Sequence, residues 1–174
     1  MELANKSCLV IGGGIAGIAS ALKVANGGLE VYLLEKEAVV EGQAASYCCK
    51  AVEVCTKCSV CLVPRKLNEV LSHPRISILT DSTVMGITGG IGNFQAEVLQ
   101  KPQYISSGRC IACGLCAEVC PVEPKAIYPP SPEAVPYSYI INESQCLRLK
   151  GEECNLCQGA CPTDAISFEL ASFW

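Results

Sequence analysis

Apolar positions in this chain first follow a strand–helix–strand rhythm. Residues 8–11 and 29–34 are short apolar runs bounded by glycine, the pattern of buried parallel strands. Between them, Ile15–Asn26 carries apolar and small residues at helical spacing. Gly27 and Gly28 end that helix, as a left-handed cap requires. The order predicts a βαβ unit with parallel strands and a right-handed crossover. Residues 41–65 lose the periodicity and form a connection rich in cysteine. Pro64 then starts a helix over 65–72 that ends at His73-Pro74. Over 75–100 strands return, first at Ile76 and Ile78, then in a hairpin around Gly89-Gly90-Ile91-Gly92-Asn93 with alternation at Phe94, Ala96 and Val98. From Lys101 onward, Pro and Cys punctuate short segments, which places a boundary near residue 102. The expected domains are 1–102 and 103–174.

The second zone contains a repeat. Its first copy is Cys110-x-x-Cys113-x-x-Cys116-x-x-x-Cys120-Pro121, and its second is Cys146-x7-Cys154-x-x-Cys157-x-x-x-Cys161-Pro162. Each copy continues into a short helix-and-strand ending, at Lys125-Ala126-Ile127 and at Asp164-Ala165-Ile166. A repeated half-module is what two stacked, pseudo-symmetric sites need. Three cysteines at this spacing can wrap one side of a cubane iron–sulfur cluster, and the cysteine before proline crosses over to the other cluster. The expected ligands are therefore Cys110, Cys113, Cys116 and Cys161 for one 4Fe–4S cluster. Cys146, Cys154, Cys157 and Cys120 serve the other. Zinc also takes four thiolates, but it gives no reason for the Cys-Pro ending to recur. Gly114 lets the loop turn closely around the sulfides, and Pro121 and Pro162 stop a helix from running into the cubane. This is the pattern of a bacterial-type two-cluster ferredoxin domain. The second copy departs from it by replacing a two-residue gap with seven residues, an enlarged loop expected to alter solvent access.

Composition narrows the class. Fourteen cysteines would suit a disulfide framework in a secreted chain. Here they fall in tight C-x-x-C runs, and no basic segment with a cleavage site precedes them. The apolar stretch 8–25 is broken by Gly12, Gly13, Gly14 and Gly17 and carries Lys23, so it reads as neither signal peptide nor membrane span. The thiols imply metal in a reducing cytoplasm. With 50% hydrophobic and 17% charged residues the chain is not disordered. A net charge of −4 without a Lys/Arg run argues against nucleic acid. Each cluster would add roughly two negative charges, which suits docking to a basic partner. No acid–base pair or nucleophile for bond-making chemistry stands out, so no catalytic residue is expected.

Gly12-x-Gly14-x-x-Gly17 follows a strand and opens a helix, the setting of a dinucleotide fingerprint. The glycines permit the tight turn, close approach of a pyrophosphate, and helix–strand packing, while the helix N-terminus faces the phosphates. Glu35 ends the second strand, where it can accept hydrogen bonds from a ribose.

These residues, Leu9-Val-Ile-Gly-Gly-Gly-Ile-Ala-Gly and Val31-Tyr-Leu-Leu-Glu-Lys, resemble the FAD-binding half-domain of the A subunit of heterodisulfide reductase. The resemblance continues through Cys58-Ser-Val-Cys61-Leu-Val-Pro, Ser72-His-Pro-Arg, Gly92-Asn-Phe and Ala134-Val-Pro into the ferredoxin insert. It implies an α/β plus α+β architecture, a Rossmann-like FAD-binding βαβ half-domain followed by the two-cluster ferredoxin domain. It also implies FAD held near Gly12, Gly14, Gly17, Glu35 and Lys36. The implied role is electron transfer in an anaerobic oxidoreductase complex. Its partners would be heterodisulfide reductase B/C-like subunits and a hydrogenase or formate dehydrogenase. Two departures stand out. The usual Gly-Gly-Arg after strand 2 is Glu41-Gly42-Gln43, which removes a cation near the flavin, and no second glycine fingerprint follows Cys161. The expectation is the adenosine end of a flavin site, in a truncated or split chain whose missing half comes from another subunit, or in one that binds flavin weakly.

Cys55-x-x-Cys58-x-x-Cys61 offers three ligands for a candidate third 4Fe–4S cluster, with Cys48, Cys49 or a residue of another chain as a fourth. The alternative is reduced structural thiols or a regulatory dithiol. His73 reads as a helix end and Arg109 as a surface charge. The competing function is a stand-alone ferredoxin-like carrier docked through a vestigial nucleotide-binding unit.

Overall fold

The computed structural model describes residues 7–40, 42, 62–132, 134 and 136–169. Cys48, Cys49, Cys55, Cys58 and Cys61, and with them Glu41 and Gln43, lie outside the described residues. The chain divides into two compact units, Met1–Lys101 with Glu133–Val135, and Pro102–Pro132 with Pro136–Trp174.

The first unit begins with β1 (Ser7–Ile11), α1 (Ile15–Asn26) and β2 (Glu30–Leu34), followed by α2 (Val63–Ser72) and β3 (Ile76–Leu79). The three strands form a parallel sheet in the order β1-β2-β3, with Leu9 opposite Tyr32 and Tyr32 opposite Ser77. Alternation along each strand sends Cys8, Val10, Val31, Leu33, Ile76 and Ile78 to one face. There they pack with Ile18, Leu22, Leu67 and Val70 of α1 and α2 in a single apolar core. The cap of α1 is displaced by one residue from the simplest expectation. Gly27 stays right-handed and donates to Lys23 O and Val24 O, while Gly28 takes the left-handed conformation at φ +95°. Helix α2 starts at Val63, so Pro64 falls inside its first turn, where a missing N–H leaves nothing unpaired. His73 caps that helix in an extended conformation. Strands β4 (Ser82–Gly90) and β5 (Asn93–Gln100) make an antiparallel hairpin with a register shift between Val84 and Gly86.

In the second unit each half of the cysteine repeat contributes one short helix, α3 (Leu115–Glu118) and α4 (Leu156–Gly159). Both lie before the Cys-Pro ending, not after it. The three residues between Cys116 and Cys120, or between Cys157 and Cys161, are what a single helical turn needs to carry one thiol to the next. The strand endings differ between halves. β6 (Ile127–Tyr128) pairs antiparallel with β7 (Ile140–Ile141), whereas Ile166 forms an isolated bridge to Ile105. The apolar clusters here are small and count cysteines among their members: Cys116 and Cys157 in one, Cys120 and Cys146 in the other. Among the described residues no helix is long and apolar enough to cross a membrane.

Leu33 is 0% exposed at the centre of the first core. Leu33→Ala should therefore destabilise that unit by about 2–5 kcal/mol, measured as a fall in the denaturation midpoint. Ile87→Ala on the exposed hairpin should change stability by less than about 0.5 kcal/mol.

Candidate functional site

The glycine loop is built by contacts that exclude side chains. Gly12 has φ +98° and donates to Leu34 O at 2.8 Å, which turns the chain sharply off β1. A Cβ on Gly17 would collide with the Gly12 carbonyl oxygen, so the helix packs onto the turn as closely as backbone allows. Gly14 is the N-cap of α1, and a Cβ built there meets nothing within 4 Å. Gly42 comes up against the same backbone, where a Cβ on Gly42 would lie 2.8 Å from Gly14 Cα, so among the described residues the room at the helix N-terminus is on the side that a Gly14 Cβ would take. The first turn of α1 itself holds no acidic residue, and the carboxylate that reaches its N-terminal end is that of Glu35, at Gly13.

Glu35 is buried at the end of β2, and its Oε2 accepts a hydrogen bond from Gly13 N at 2.6 Å. Its Oε1 accepts from Glu37 N at 3.0 Å. Each oxygen keeps further lone-pair capacity for a ribose hydroxyl. Lys36 sits on the outside, 3.6 Å from Glu37, so the structure brings Glu35 to the glycine loop but not Lys36. An anion-seeking helix end, an open approach and a fixed carboxylate together fit the adenosine and pyrophosphate end of FAD.

The eight repeat cysteines gather into two groups. Cys110, Cys113, Cys116 and Cys161 line one space of about 20 Å³, with Ile105, Tyr139 and Ile166. Cys120, Cys146, Cys154 and Cys157 line another of about 20 Å³, with Pro121, Ala126 and Leu156. Each half therefore sends its Cys-Pro thiol to the other half's space. Among the described residues no three Cys, His, Asp or Glu side chains meet closely enough to hold one metal ion. Four thiols around a space suit a cubane, whereas zinc draws its ligands to a point.

Local geometry explains how the loops close. Gly114 adopts φ +85° before α3, and a Cβ there would lie 3.0 Å from the Tyr139 hydroxyl. Around Cys161, burial alone would raise the thiol pKa. Backbone N–H groups of Thr163 and Ala165 outweigh burial and lower it, and Ala165 N lies 3.3 Å from the sulfur. Burial pushes Cys116 up to about 11, and it raises Cys157 as well, with the Cys146 charge adding to it. Lys125 donates to Cys120 O at 2.6 Å and so ties the first Cys-Pro ending to the residues that follow. Neither Lys125 nor Tyr139 stands out in the sequence.

Residues 109–165 match the family model of the 4Fe-4S dicluster domain, and residues 7–50 match that of the FAD binding domain. The A subunit of the ferredoxin:CoB-CoM heterodisulfide reductase of Methanosarcina mazei is 37% identical over 95% of this chain and 22% of its own length. The iron-sulfur A subunit of the CoB--CoM heterodisulfide reductase of Methanocaldococcus jannaschii is 38% identical over 95% of this chain and 26% of its own length. This chain is a relative of the heterodisulfide reductase A subunits. It spans about a quarter of the length of those relatives. A thioredoxin reductase from Streptococcus pyogenes superposes with a TM-score of 0.36 at 13% identity, over 55% of this chain and 28% of its own, a likeness on which nothing rests. As in the two family models, the cofactors of this heterodisulfide reductase relative are two 4Fe–4S clusters and FAD.

Cluster ligands are thiolates, so if Cys116 is a ligand the proton it holds leaves on assembly. Assembly on the metal-free chain should release protons and proceed faster as pH rises from about 7 to 9. Stopped-flow absorbance during anaerobic reconstitution reads the rate, and a pH-independent rate would contradict thiols that stay protonated until assembly.

Proposed function

We propose that this chain is the electron-relay segment of a heterodisulfide reductase-like oxidoreductase complex, passing electrons between FAD at the glycine loop and two 4Fe–4S clusters. The observation that carries the reading is the pair of four-thiol spaces, each completed by the Cys-Pro thiol of the other half. In this reading Cys110, Cys113, Cys116 and Cys161 ligate one cluster, and Cys146, Cys154, Cys157 and Cys120 the other. Gly12, Gly14, Gly17 and Glu35 hold the adenosine end of the flavin. When bound, the flavin accepts or gives electrons in ones or twos, and each cluster handles one at a time.

The chain's own residues bind, orient and shield these groups, and none is assigned to bond-making. A further feature supports a larger flavoprotein assembly around the first unit. The sheet face opposite the core presents Leu9, Ile11, Tyr32, Leu34 and Leu79 to an apolar cleft of about 660 Å³, closed partly by Phe94 of the hairpin. Ile11 and Phe94 are 63% and 65% exposed. That surface is consistent with further flavin-domain structure, supplied by the rest of a longer protein or by a partner chain. The external partners would be heterodisulfide reductase B/C-like subunits and a hydrogenase or formate dehydrogenase that exchange electrons with the clusters.

Anaerobic reconstitution with iron, sulfide and FAD should give about eight irons per chain. Gly14→Val should abolish flavin retention while leaving the iron count unchanged, because it fills the open approach at the N-cap of α1. Eight irons with no flavin, even in the presence of co-purifying partner proteins, would instead favour a ferredoxin-like carrier. Bound zinc in place of iron would overturn the reading.

A further inference from the structure

The two thiol-lined spaces are similar in size but differ in exposure. In the first, Cys113 is exposed, Cys110 and Cys161 are half-buried, and only Cys116 is buried. In the second, Cys120, Cys146 and Cys157 are buried and Cys154 is half-buried. Compared position by position, Cys146 is more buried than Cys110, Cys154 than Cys113, and Cys120 than Cys161. The contrast follows from the first gap of each copy. In the first copy it is Ile111-Ala112, with Ile111 exposed. In the second it is residues 147–153.

Those seven residues are folded and fastened. Arg148–Lys150 forms a 3-10 turn in which Lys150 N donates to Cys146 O at 3.1 Å. Gly151 reverses the chain at φ +92°, and Glu152 N returns to Leu147 O at 3.0 Å. Leu149 packs against the cluster of Cys120, Ala126 and Cys146. Arg148 then reaches away from the turn. Its guanidinium lies over the Phe168 ring, 4.6 Å from the centroid. It donates to Asn155 Oδ1 and, at 3.4 Å, to Gln158 Oε1. Asn155 directly follows Cys154, and Gln158 directly follows Cys157. Phe168 is itself held by Tyr104, 5.7 Å between ring centroids, and packs on the apolar clusters of both halves.

We propose that Arg148 is a positioning residue that clasps residues 147–153 over the second cluster site, so that the module has one open cluster, beside Cys113, and one closed cluster, beside Cys154. The proposal rests on the cluster reading above. The planar guanidinium explains why one side chain serves, since it stacks on a ring face while its N–H groups bond amide oxygens in the same plane.

The test uses the full 174-residue chain, anaerobically reconstituted and checked for iron. It is incubated with a ferrous chelator and iodoacetamide, and alkylation of each cysteine is followed by peptide mass spectrometry. In the unaltered chain Cys113 should be labelled several-fold faster than Cys154. Arg148→Ala should speed labelling of Cys154 by about fivefold, the scale of a lost exposed cation–π contact, and leave Cys113 unchanged. Arg148→Lys, which keeps a cation over Phe168, should recover most of the protection. Equal rates at Cys113 and Cys154 in the unaltered chain would overturn the proposal. So would an Arg148→Ala variant that leaves Cys154 unchanged or accelerates both cysteines alike. A chain that takes up no iron overturns the cluster reading, and the clasp with it.

Discussion

Neither half of the cysteine repeat completes its own thiol set. Cys161 lines the space of Cys110, Cys113 and Cys116, and Cys120 lines that of Cys146, Cys154 and Cys157. The second unit depends on this exchange. Its apolar clusters are small, and cysteines make up part of them. A domain of this size has little apolar surface with which to offset chain entropy. On the proposed ligation, bonds that join residues far apart in sequence would supply what such a core lacks, and binding free energy would become folding free energy. Crossing doubles the effect, because neither site can be filled without the other half in place.

The first unit follows a different constraint, close backbone packing at one turn. Gly12, Gly17 and the buried carboxylate of Glu35 fix the loop between β1 and α1. The Glu35–Gly13 hydrogen bond is buried and ties the loop to the end of β2. The core behind the sheet is well filled by α1 and α2, while the opposite face stays apolar and exposed. One unit is thus a nucleotide cradle on a half-covered sheet, and the other is a pair of thiol nests. In the proposed role, the chemistry they share is the movement of electrons.

Much of this is legible in the sequence, for physical reasons that differ by element. The bounds of α1 can be read because glycines must sit at both of its ends. Which thiols line which space can be read from the two Cys-Pro endings. The parallel pairing of β3 with β2 cannot be read, because a four-residue strand carries no mark of its neighbour. The sequence places the short helices after the Cys-Pro endings, where Ala-Ile looks like the start of an element, but one turn of helix already fits within the cysteine spacing. Lys36 groups with Glu35 in the sequence because the two are adjacent, yet β2 ends at Leu34 and Lys36 lies in the bend that follows, exposed beside Glu37. The contact of Arg148 with Phe168 spans twenty residues and leaves no local pattern.

The crossing itself is tested most directly by removing one crossing thiol. In a reconstituted Cys120→Ala chain, alkylation under non-denaturing conditions should label Cys146, Cys154 and Cys157 while Cys110, Cys113 and Cys116 stay protected by iron. Labelling of Cys110, Cys113 and Cys116, the cysteines of the same copy, with protection of the other three would contradict the crossed arrangement and the account built on it.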